Sequence, residues 1–208
     1  MAPDLFILYL PMGEHAKVIN VLSRVIDTFE REQKQAEFFG GLSNVYPQLF
    51  CFYAFSQAFL GNFKEALESC EIGLQAATKM DNSLTIGICE SIYGAVVLFK
   101  GDINQAKQYL HNAIRHLEEM KFLHSLAQSW SWLGLAYTLA GELDTGRKYA
   151  EKGLKIHEDV EYKYLRTFHY YVHGICHTYM GDDTRAEKYF NKGIEISRQQ
   201  IERCSEGA

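Results

Sequence analysis

A chain of 208 residues, 47% apolar and 13% aromatic, is long enough for one continuous core and has the large side chains to fill it. The formal net charge is −5, and basic residues such as Arg147, Lys148, Lys152 and Lys155 alternate with Glu142, Asp144 and Glu151. That excludes the dense basic stripe of a nucleic-acid binder. Five cysteines, Cys51, Cys70, Cys89, Cys176 and Cys204, stand apart without a C-x-x-C pair, as expected of small core residues in a reducing cytoplasm rather than of a disulfide framework.

The chain opens on the apolar stretch Leu5 to Leu10, which meets Pro11 and lacks a basic lead-in. It is too short to span a membrane or act as a signal peptide, so no membrane association is expected. Gly13 follows it as Gly61 follows Phe59 and Leu60, and residues 1–45 therefore read as a degenerate N-terminal half repeat with its connector.

From residue 46 to 208 the chain reads as four repeats. Gly61, Gly101, Gly141 and Gly181 stand 40 residues apart and open the phrases GNFKEAL, GDINQAK, GELDTGR and GDDTRAE. A fixed period of this size marks a stacked array in which each unit buries its apolar face against its neighbours. Each glycine divides its unit into two apolar-periodic stretches of about 17 residues, roughly 25 Å of helix each, so the unit is a helical hairpin. The glycine reads as a left-handed cap ending the first helix. Asn62, Asp102 and Asp182 read as N-caps of the second, with Glu142 a weaker one. Small residues recur before the glycine at Ala54, Gly94, Gly134 and Gly174. They recur after it at Ala66, Ala106, Gly146 and Ala186, and again at Gly73, Ala113, Gly153 and Gly193. Glycine inside a helix costs about 1 kcal/mol against alanine, so these positions point to close helix crossings.

The third unit carries Trp130, Leu133-Gly134, Tyr137 and Gly141 at the spacing of the tetratricopeptide repeat, and residues 46 to 200 resemble that family. The resemblance implies an all-α fold, a right-handed superhelical array of antiparallel helix pairs (a TPR-like α-solenoid). The period is longer than the family's usual one, the proline closing each unit is missing, and Gly146 replaces an alanine. The long period is similar to the helical sensor regions of large bacterial signalling ATPases and maltose-type transcription activators.

Members of the family bind through one face of each first helix. Carried over by position, that face holds Phe52, Phe55, Phe59, Phe99, Trp132, Leu135, Leu139, Tyr171, Ile175 and Tyr179, with the polar groups Gln48, Ser91, Gln128, Ser131 and Thr138 nearby. Trp130 is expected in the hairpin core and Trp132 in the groove. The rows carry no charge, so they lack the donors needed to capture a carboxylate. They suit an apolar or amphipathic helix from a protein or peptide. The other reading of Phe55, Phe99 and Leu135 is that they pack between neighbouring helices as core.

Motifs for phosphate, dinucleotide, zinc-protease or nucleophile-elbow chemistry are absent, and no cofactor is expected. His169, His173 and His177 share one face of a helix, which suits either a metal such as zinc or core packing, because His173 and His177 hold the places of Leu133 and Tyr137 one unit earlier. The leading expectation is a non-catalytic protein- or peptide-binding scaffold or sensor module of a cytoplasmic signalling or regulatory protein. The alternatives are a small-ligand or signalling-peptide sensor and, more remotely, an all-α metal-dependent enzyme. Apolar residues at both ends, Leu5 to Leu10 and Phe190, Ile194, Ile201 and Cys204, lead to the expectation of further repeats or of self-association through an open end.

Overall fold

The computed structural model describes residues 10, 13–38, 40–160 and 165–206, with side chains up to residue 199. Most of the apolar stretch before Leu10, and the side chains of Ile201 and Cys204, lie outside the described residues. Among the described residues all regular structure is helical: α1 (His15–Arg31), α2 (Val45–Phe59), α3 (Phe63–Lys79), α4 (Ser83–Lys100), α5 (Ile103–Glu119), α6 (Leu123–Leu139), α7 (Leu143–Asp159), α8 (Arg166–Tyr179) and α9 (Asp183–Glu206). The helices group into two compact units, residues 1–120 and residues 121–208.

In unit 1, α2 pairs with α3 and α4 with α5, and α4 also packs on α2 and α3. α1 closes against α2. It is amphipathic, with Val18, Leu22 and Ile26 four residues apart on one face, packed with Leu49 and edged by Leu10, Phe29 and Phe50. In unit 2, α6 pairs with α7 and α8 with α9, while α8 packs on both helices of the preceding hairpin.

The hairpins turn where the period places them. Gly61, Gly101, Gly141 and Gly181 all adopt φ between 74° and 96°, a region that glycine enters without a Cβ penalty. Asp102 and Asp182 cap the following helices, each accepting from the backbone N–H three residues on at 3.1 Å. Asn62 does not cap: its amide donates instead to the Gln57 side chain at 2.7 Å, tying the turn back to α2. Other first helices are capped by Asn44 on α2 and Asn82 on α4.

First and second helices differ because they have different neighbours. α3, α5, α7 and α9 have one buried stripe. α4 and α6 are buried nearly all round, from Leu84 to Leu98 and from Ser125 to Ala136. By length and composition α4 would cross a bilayer, but protein covers it. The small residues do permit close crossings: a Cβ at Gly146 would meet the Gly134 carbonyl at 2.8 Å, and one at Gly153 would meet the Ala127 carbonyl at 2.7 Å.

Candidate functional site

One row of the expected binding face stays on the surface in all four repeats. Phe59, Phe99, Leu139 and Tyr179, each two residues before its glycine, are 37–53% exposed. They lie in the last turn of the first helix, beyond the reach of the second helix that covers the turns before it.

In unit 1 this row gathers aromatic rings. Phe59 and Phe99 meet edge to face with centroids 4.9 Å apart, and half-buried Phe55 lies 5.0 Å from Phe59 and 5.7 Å from Phe99. His15 on α1 stacks on the other face of the cluster, 4.3 Å from Phe59, with Nδ1 3.4 Å from the Ser56 hydroxyl. Partial burial lowers the His15 pKa, which keeps the ring neutral and suited to stacking. Leu60 extends the apolar edge. Half-buried Phe52 belongs instead with the α1–α2 core.

In unit 2 the corresponding exposed groups are Leu139, Tyr171 and Tyr179, with half-buried Ile175 behind them and Met180 beside them. Two residues expected on the groove are not available there. Trp132 and Leu135 are only 5% and 6% exposed. Trp132 packs its indole on Phe168 of α8 at 4.3 Å, so it joins two first helices and cannot touch a partner from that position. Trp130 is buried as expected, against Tyr149 at 5.0 Å, with the Lys152 ammonium 3.6 Å over the ring.

The polar groups assigned to the groove are largely spent inside the fold. Ser131 Oγ and His169 Nδ1 share a hydrogen bond of 2.7 Å, and Thr138 donates to the Gly134 carbonyl at 2.9 Å while lying 3.1 Å from the Cys176 sulfur. Ser91 is buried, and the Gln48 amide donates to Ser43 Oγ and the Asn44 carbonyl. The Ser131–His169 and Thr138–Cys176 contacts join α6 to α8.

The three histidines of α8 are buried and turn to different neighbours. His169 faces Ser131 and the His157 ring, while His173 and His177 stack on Tyr189 at 4.8 and 5.3 Å. Among the described residues no group of three His, Cys, Asp or Glu side chains is placed to hold a metal ion, so the metal reading of this row does not fit the geometry.

Two arrangements escaped sequence reasoning. Glu90 on α4 is a buried carboxylate whose pKa burial pushes up to about 7, opposed by the Arg115 charge and a hydrogen bond from Asn112. His116 lies 3.9 Å from it. A charged residue in the otherwise uncharged run from Ser83 to Phe99 was the available signal. The cysteines of unit 1 also converge: Cys89 contacts the Cys51 thiol, with Cys70 close to both; the hydrogen bond with Cys51, and then burial, raises the Cys89 pKa and burial raises that of Cys70, so both stay protonated. Their positions, ten before, nine after and twelve before successive turn glycines, become neighbours only once α2, α3 and α4 pack.

Comparison with known proteins places this geometry in a family of folds. Residues 125–199 match the tetratricopeptide repeat family. No curated protein resembles the chain closely enough in sequence to be matched. Among solved structures, a putative kinesin light chain of Podosopora anserina with nearly identical TPR-like repeats superposes with a TM-score of 0.61 at 14% identity, over 96% of this chain and 94% of that one. A Rap protein in complex with Competence and Sporulation Factor gives a TM-score of 0.70 at 14% identity, covering 96% of this chain and 63% of its own. Aspartyl phosphate phosphatase F from Bacillus subtilis gives 0.67 at 13% identity, over 92% and 50%. The fold is therefore an all-α, TPR-like repeat fold, and residues 125–199 carry tetratricopeptide repeats.

Proposed function

We propose that this chain is a non-catalytic scaffold or sensor module that binds a protein or peptide through exposed apolar side chains at the matched position of its repeats: Phe59 and Phe99 with Phe55 in unit 1 and, taken by itself, Leu139 and Tyr179 with Tyr171 and Ile175 in unit 2. The observation that carries the reading is the return of an exposed aromatic or aliphatic side chain at one position of every repeat. With no charge in the row, the partner that fits is the apolar face of an amphipathic helix, with anchors at i, i+3, i+4 and i+7. Net charge of −5 and the lack of a basic stripe speak against nucleic acid, and buried free thiols are compatible with a reducing cytoplasm.

The test is titration of labelled amphipathic helical peptides, read by anisotropy, against the intact chain and its Phe59→Ala and Phe99→Ala variants. Saturable binding weakened by both variants, with unfolding midpoints unchanged, supports the reading. Equal affinity in all three chains removes it. A small-ligand or signalling-peptide sensor is the second reading, in line with the Rap protein's complex with Competence and Sporulation Factor. A thermal shift with metabolites but not with helical peptides would select it. Self-association through an array end is a further part of the proposal, supported by exposed Ile194 on the final helix. Concentration-dependent light scattering tests it.

A further inference from the structure

Unit 2 contains His124, His157, His169, His173 and His177, five of the eight histidines in the chain, and all but half-buried His124 are buried. They follow the seams along which α8 meets its neighbours. His169 on α8 is bonded through Nδ1 to Ser131 of α6, its ring lies 4.4 Å from His157 of α7, and its Nε2 is buried without an acceptor. His173 and His177 continue the row by stacking on Tyr189 of α9.

We infer that this histidine seam is an acid-opened latch: protonation within it unseats α8 from α6 and α7 and loosens the last hairpin, while unit 1 keeps its fold. The inference is independent of the peptide-binding reading.

The seam is built for neutral rings. Among the described residues the ionisable neighbours of His169 are His157, His124 and His173, so a proton on His169 is repelled by any other charged ring of the seam. Among the described residues carboxylates stand at the rim. Glu151 pairs with Arg147, Asp182 lies 3.6 Å from His177 and 3.3 Å from Arg185, and Glu158 accepts from Tyr170. For His173 burial outweighs the Ala150 backbone and Glu151, and for His177 it outweighs Asp182. Burial thus holds all five below the ordinary value of 6.5, His124 at about 4. With the folded pKa values depressed, the unfolded chain binds more protons once pH falls through 6.5, and stability drains from there downward. In unit 1 burial also lowers the pKa of His15 and His111, but none of His15, His111 and His116 is fully buried, and Glu90 shifts in the stabilising direction as pH falls.

Both tryptophans of the chain lie in unit 2, and Trp132 sits on Phe168, so its emission reads the α6–α8 contact directly. Between about pH 7.5 and 4.5 the intact chain is expected to show a reversible red shift and greater acrylamide quenching. Hydrogen exchange should lose protection in α8 and α9 while α2 to α4 retain it. His169→Asn keeps a partner for Ser131 but cannot titrate, and should move the midpoint down by about half a pH unit or more. Should that variant fail to fold at neutral pH, His173→Gln carries the same expectation. Emission that stays constant across the window overturns the latch. So does a wild-type midpoint in every folded histidine variant, or a midpoint that moves only with Glu151→Gln, which would assign the transition to a carboxylate.

Discussion

Gly134 lies so close to Ala150 that a Cβ added to the glycine would stand 2.6 Å from the Ala150 backbone nitrogen and 3.0 Å from its Cα. Backbone on both sides leaves nothing able to yield, so the α6–α7 crossing depends on the missing side chain. Gly134→Leu is expected to destabilise by at least the usual overpacking cost of about 1–3 kcal/mol, whereas Lys148→Leu on the exposed face of α7 is expected to be near neutral. Denaturant midpoints of the two variants check this, and equal midpoints would refute the crossing.

Glycines at one repeat position need not share one role. Gly153 would drive a Cβ into Ser131 Oγ and to 2.7 Å from the Ala127 carbonyl, but at Gly193, the same position one repeat on, the nearest atom is 3.6 Å away. Gly193→Ala therefore gains helix propensity and should stabilise by about 0.5–1 kcal/mol, while Gly153→Ala should destabilise. Thermal unfolding of the pair must give shifts of opposite sign.

The turns between repeats use non-glycine residues in the left-handed region, Asp81 at φ 50° and Lys121 at φ 53°. Asp tolerates this conformation better than Lys, because its short side chain bonds locally. Lys121→Gly should raise stability by roughly 1 kcal/mol and Asp81→Gly by less, measured as chemical denaturation midpoints. The reverse order would place the strain elsewhere.

Glu90 gives unit 1 a pH dependence opposite to that of the histidine seam. Its folded pKa of about 7 stands above the ordinary 4.5, so the folded state binds more protons between those values and loses stability as pH rises through the window. Glu90→Gln retains hydrogen bonding to Asn112 without a buried charge. It should stabilise by on the order of 1 kcal/mol above pH 7.5, with the gain closing towards pH 5. Unfolding of wild type and variant at the two pH values checks the sign, and a gain that grows on acidification would contradict it.

The outline of this protein follows from local chemistry. A glycine every 40 residues sets the left-handed turns, Asp102 and Asp182 start the helices after them, and alternating small residues mark where helices cross. Those features act within a few residues of their own positions, so they can be read without knowing the neighbours. The matched positions of Phe59, Phe99, Leu139 and Tyr179 were legible for the same reason, being tied to a fixed distance from each turn, while their exposure was decided by packing. Which other faces are covered was decided by tertiary packing. α4 and α6 are apolar on every side, and a helix without an amphipathic stripe does not reveal which of its faces meets a partner helix and which meets water. Trp132 and Leu135 were taken into contacts between helices, Ser131 and Thr138 became bonds to α8, and residues as distant as His157 and His169, or Cys51 and Cys89, became neighbours. Each of those outcomes depends on side chains about 40 residues apart or on separate helices, a relation created only when the repeats stack.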